Sequence, residues 1–147
     1  MRFYVRGKPY IITIDDKIPV QDNGTPINAR PSSQGAWWLV VLEKAYAKLN
    51  LNYANLDGGL QYEAMRALTG QPIMFYETKS QTEKLIWETI GDADGQKFIM
   101  TASCLKDYQG LVGGHAYTII GVQELFKNGG QIAQQLIKMR NPIGQEE

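Results

Sequence analysis

The single histidine of the chain, His115, stands in Gly113-Gly114-His115-Ala116-Tyr117-Thr118, and near the end of the sequence comes Arg140-Asn141-Pro142. An imidazole can take the proton of a thiol, while an asparagine carboxamide oxygen accepts a hydrogen bond from the other ring nitrogen. That second bond fixes the tautomer and the ring orientation, the task of the third member in any nucleophile, base and orienter site. Asparagine suffices where thiol and imidazole already rest as an ion pair. The one cysteine, Cys104, lies between Ser103 and Leu105 with no helix start behind it. A nucleophilic thiol wants an electropositive helix N-terminus beside a base. The histidine and asparagine therefore read as half of an active site.

To meet, the two residues need adjacent strands. If those strands form an antiparallel hairpin centred on Asn128-Gly129, His115 falls opposite Asn141. Opposed Cβ atoms on one sheet face lie about 4.5 to 5.5 Å apart, within reach of an amide-imidazole bond. A slip of one residue would send the two side chains to opposite faces. Gly113 and Gly114 would let a substrate backbone approach the strand closely. The same residues also have a structural reading, a histidine satisfied within a strand and an asparagine forming a turn before proline.

The elements that must position this pair come in two blocks. Residues 3 to 20 alternate loosely between glycine and proline and suggest an extended opening segment ending at Asp15-Asp16, a surface turn. Residues 22 to 35 spell a loop. Trp38, Leu42, Ala45 and Leu49 form one stripe of a helix over about 36 to 50. A short helix over about 61 to 69 should stop at Gly70, ahead of Pro72. Ser80-Gln81-Thr82-Glu83 has the spacing of a capping box, with Ile86, Ile90 and Ala93 on one face of a helix ending near Gly95. Residues 97 to 104, 114 to 122 and 134 to 141 read as strands. Helices followed by strands imply an α+β fold, an antiparallel sheet with flanking helices.

A length of 147 residues suits one compact domain without disulfides or metal. Fifteen basic and fifteen acidic residues cancel, and no lysine or arginine block offers nucleic acid an electrostatic footprint. No apolar run approaches the roughly 18 residues of a membrane span, and the N-terminus lacks the pattern of a secretory signal. One cysteine fits a reducing, cytoplasmic setting. Asp92-Ala93-Asp94-Gly95 lacks the ligands of a calcium loop, since the twelfth position from Asp92 is Ser103 rather than glutamate. No metal site is expected among these residues. Gly58-Gly59 and Gly129-Gly130 match no phosphate loop and read as turns. Trp37, Trp38 and Trp87 read as helical core residues.

The run Trp38-Leu39-Val40-Val41-Leu42-Glu43-Lys44-Ala45-Tyr46-Ala47-Lys48-Leu49 is followed by Tyr53, Leu56, Gly58-Gly59 and Leu68-Thr69-Gly70. Later come Gly110-Leu111-Val112-Gly113-Gly114-His115-Ala116-Tyr117, Gly121-Val122, and Ile137-Lys138-Met139-Arg140-Asn141-Pro142 with Gly144. From Ile14-Asp15-Asp16-Lys17-Ile18-Pro19 onward, nearly the whole chain resembles in this order the second half of the calpain protease core.

The resemblance implies a papain-like fold, with residues 1 to 147 as the His/Asn lobe of an intracellular, calcium-dependent cysteine endopeptidase acting on protein substrates. It implies His115 as base, Asn141 as its orienter and Gly114 at the border of the substrate cleft. In that family the nucleophile comes from an earlier lobe, in a Gln-Gly-x-x-Gly-Asp-Cys-Trp segment not found here. Cys104 falls where related sequences often carry a structural cysteine. Ile143 replaces the tryptophan that shields the histidine-asparagine bond, and the acidic segment expected to supply most calcium ligands does not follow. The lobe is thus expected to be inert without its cysteine-bearing partner lobe, and to self-associate through apolar side chains that lobe would cover. The competing reading is a non-catalytic interaction module from a degenerate homologue.

Overall fold

The computed structural model describes residues 1–142, so Ile143 and Gly144 lie outside the described residues. The chain divides into two compact units, Met1–Met74 and a second that begins at Phe75.

In the first unit, β1 (Arg2–Val5) and β2 (Lys8–Ile11) pair antiparallel, with Phe3 opposite Tyr10. The expected extended segment folds into a hairpin here because Arg6 and Gly7 both take positive φ, 50° and 77°. That is the two-residue turn whose twist suits a hairpin. Phe3 is fully buried and packs with Ile12 and Ala45, flanked by Leu42, Tyr46 and Leu49. Three of these, Leu42, Ala45 and Leu49, are the expected stripe of α1 (Trp38–Leu49). Trp38, its fourth member, is 66% exposed and Trp37 49%, so neither is a core residue. Both precede the packed cluster, which begins a turn later at Leu42.

Lysines of α1 tether the segment that follows β2. Lys48 Nζ donates to Thr13 O at 2.7 Å, and Lys44 Nζ holds the Asp15 carboxylate and the Lys17 carbonyl. The Asp15-Asp16 turn is exposed, as expected. The helix α2 (Gln61–Thr69) ends at Gly70, whose φ of 71° gives the left-handed cap that glycine tolerates best.

In the second unit, α3 (Glu83–Gly95) is capped by Thr82, whose hydroxyl accepts from Leu85 N at 3.2 Å. Ser80, the expected cap, belongs to a preceding 3-10 turn and donates its hydroxyl to Glu77 O. A cap must stand directly before the first helical residue, and Thr82 does. The end of α3 contains Asp92-Ala93-Asp94-Gly95 as helix.

A three-stranded antiparallel sheet follows, in the order β3 (Met100–Ser103), β4 (Ala116–Phe126) and β5 (Ile132–Arg140). Helix α3 packs on β4, with Trp87 half-buried. Its Nε1 donates to Glu124 Oε1 at 3.1 Å, and Val122 N donates to Asp94 Oδ2 at 3.2 Å. The first strand is shorter than expected because Lys97 takes a left-handed φ of 61° and its N–H still bonds Asp94 O at the helix end. The mixture of helices and antiparallel strands is the α+β class expected. Among the described residues, no helix is long and apolar enough to cross a membrane.

Candidate active site

His115 is the last residue before β4 and Asn141 the first after β5, so each side chain sits at the mouth of the same hairpin. The turn between the strands runs over residues 127 to 131, closed by Lys127 N donating to Gln131 O at 2.8 Å. It contains the expected Asn128-Gly129. The register differs from the symmetric one. Thr118 pairs with Arg140, and one step further along this register Asn141 falls opposite Tyr117 rather than His115. The displacement is set at the turn, where Phe126 pairs with Ile132 so that the hairpin is centred on Gly129, one residue beyond Asn128. The two bulges, at Ile119/Gly121 and Leu125/Phe126, cancel each other.

A displacement of two residues keeps the same face, so His115 and Asn141 become diagonal neighbours, still within reach of long side chains. His115 Nε2 and Asn141 Oδ1 are 2.9 Å apart. A carboxamide oxygen can only accept, so the bond needs the proton on Nε2, and in the neutral ring this leaves the lone pair on Nδ1. The imidazole is half-buried and the asparagine exposed. Chemically, such a pair is a base of fixed tautomer with one ring nitrogen ready to take a proton.

The turn leading into His115 is pinned through three successive amides. Val112 N donates to Tyr117 Oη at 2.9 Å, Gly113 N to Asp107 Oδ1 at 2.8 Å, and Gly114 N to Cys104 O at 2.7 Å. The two glycines have different reasons to be there. A Cβ on Gly113 would come within 2.7 Å of the Lys106 backbone, so that position is set by close packing. Gly114 faces open space with a left-handed φ of 69°. Sequence reasoning treated both as room for a substrate and missed the packing demand on Gly113.

It also missed Tyr117. This residue is 6% exposed, and its ring stands edge-on to the His115 imidazole with centroids 4.9 Å apart. The alternation of the strand, with 115 and 117 on one face, is the signal that could have found it. Cys104 donates its thiol to Val112 O at 3.3 Å. Among the described residues no three histidine, cysteine, aspartate or glutamate side chains converge to hold a metal ion.

A histidine bonded to an asparagine carboxamide at the mouth of a sheet hairpin is an arrangement able to take up a proton in a fixed orientation. A family model described as calpain family cysteine protease matches residues 1–147, and the chain belongs to that family. It is 32% identical over 154 residues to the calpain-2 catalytic subunit of Homo sapiens, with 99% of this chain and 22% of that protein covered. Calpain-type cysteine protease DEK1 of Zea mays is 31% identical over 158 residues, covering 99% of this chain and 7% of that protein. A calpain of Schistosoma mansoni is 35% identical over 158 residues, covering 97% and 20%. The chain thus spans well under a third of the length of these relatives.

Proposed function

We propose that this chain supplies the base half of an intracellular calpain-like cysteine endopeptidase, with His115 as base, Asn141 as orienter and Gly114 bordering the substrate cleft. The observation that carries the reading is the 2.9 Å bond between His115 Nε2 and Asn141 Oδ1, which leaves Nδ1 for a thiol. A cysteine from another lobe passes its proton to Nδ1, and the thiolate attacks the peptide carbonyl. The imidazolium then returns that proton to the departing amine, while Asn141 holds the ring in register. Calcium dependence belongs to the same reading and rests on the calpain family to which the chain belongs.

The purified chain alone is expected to leave casein uncleaved. If the coding sequence upstream of Met1 supplies a cysteine-bearing segment, the joined protein should cleave casein, and His115→Ala should abolish that activity. Casein cleavage by the chain alone, lost on His115→Ala, would overturn the half-site reading. The second reading is a module that binds protein partners without catalysis. It draws support from the exposed Ile120, Leu125, Phe126, Ile132 and Leu136 on β4 and β5, which also favour self-association of the isolated chain. An upstream segment whose cysteine is replaced would favour this module.

A further inference from the structure

We propose that Tyr117 is a positioning residue for His115, acting on the imidazole and on the backbone that carries it through the two ends of one side chain. The proposal rests on the reading of His115 as base. Tyr117 is buried at the start of β4, so its ring is held by the fold rather than by the histidine. From there its ring meets the imidazole edge-on at 4.9 Å with the planes 86° apart. This lies within the separation that aromatic rings prefer. The same ring carries the hydroxyl that accepts from Val112 N, three residues before His115 in the chain.

The two contacts act together. Val112 N is the first of the three successive pinned amides, and its acceptor, Tyr117, also meets the imidazole edge-on. Gly113 and Gly114, with no side chains of their own, would otherwise leave the approach to His115 loosely determined. Asn141 fixes one ring nitrogen from the far strand. Tyr117 limits how the ring can turn, so the Nε2 proton continues to face Asn141 and Nδ1 continues to face away.

The test uses the whole 147-residue chain, with imidazole nitrogen shifts and amide hydrogen exchange read by NMR. Tyr117→Phe keeps the ring and removes the acceptor. Val112 exchange should quicken by about fivefold or more, with the tautomer largely retained. Tyr117→Leu removes both, and the imidazole nitrogens should shift toward a mixture of tautomers. A folded leucine variant with wild-type imidazole shifts would overturn the proposal. Should that variant unfold, the phenylalanine variant decides alone, and unchanged Val112 exchange overturns it. Asn141→Ala separates this inference from the reading beneath it. If Asn141→Ala moves the tautomer and the Tyr117 variants do not, the inference fails and the base assignment stands. If the unsubstituted chain lacks the Nε2-protonated tautomer, the base assignment itself fails.

Discussion

Replacing Asn141 by alanine should release the tautomer of His115 while leaving the fold almost untouched. The bond removed is a neutral one at 2.9 Å between a half-buried ring and an exposed amide, so water competes for both partners. A net hydrogen bond contributes about 0.5 to 1.5 kcal/mol, and the exposure of Asn141 places this one in the lower half of that range. At about 0.5 to 1 kcal/mol, the ratio of Nε2-protonated to Nδ1-protonated imidazole should fall by about 2- to 5-fold. Long-range proton-nitrogen correlation spectra of the neutral imidazole report that ratio directly, and the single histidine makes the assignment unambiguous. Global stability, measured by urea unfolding, should change by less than about 0.5 kcal/mol, as for other exposed positions. Asn141→Asp keeps an acceptor and should retain the wild-type tautomer. A ratio that moves by less than twofold in Asn141→Ala, in a folded protein, would refute the orienting role.

Phe3→Ala should destabilise the first unit by about 3 to 5 kcal/mol, because a fully buried aromatic side chain leaves a cavity against Ile12 and Ala45. Urea unfolding followed by the fluorescence of Trp37 and Trp38 would read this. Thr82→Ala should cost about 1 kcal/mol through loss of the α3 cap, while Ser80→Ala should stay within about 0.5 kcal/mol. Equal effects at the two positions would contradict the capping assignment. The Lys44 ammonium, with the Lys17 N–H, holds the Asp15 carboxyl below its ordinary value. A lowered carboxylate pKa stabilises the fold above the unfolded value of about 3.9, and that contribution is lost as pH falls through the folded value. Asp15→Asn should therefore flatten the acid limb of the stability profile below about pH 4, as seen in thermal unfolding across pH.

The helices were legible because their signals are local. Leu42, Ala45 and Leu49 announce a stripe whatever they pack against, and Gly70 stops α2 where a left-handed cap is required. The strands were legible in type but not in extent, since pairing sets where each one ends. Trp37 and Trp38 fail for the opposite reason. Their periodicity belongs to the helix, but burial depends on what lies opposite, and the cluster starts only at Leu42. Gly113 and Tyr117 escaped notice because each acts across the turn of residues 104 to 114, on Lys106 and Val112. Nothing in their immediate neighbours marks those contacts.

The meeting of His115 and Asn141 depends on two irregularities that cancel. Near the turn Phe126 pairs with Ile132, but beyond it Leu125 pairs with Gln134, so Ala133 is an extra residue on β5. Further on, Val122 and Gly121 pair with Ile137 and Lys138, whereas Ile119 pairs with Met139, so Ile120 is an extra residue on β4. Each bulge alone shifts the register by one and exchanges the faces of every residue beyond it. Together they restore the parity, and the pair at the open end shares a face again. Asp94 supports the second bulge, because its carboxylate accepts from Val122 N and lies 3.6 Å from where a Cβ on Gly121 would stand. The turn, centred on Gly129 because Phe126 pairs with Ile132, sets the offset of two residues from a hairpin centred on Asn128, and that offset is silent in a structure whose side chains alternate with a period of two. The contact between His115 and Asn141 at the mouth of the sheet is thus tied to the C-terminal turn of α3, through the Asp94 carboxylate that holds the second bulge.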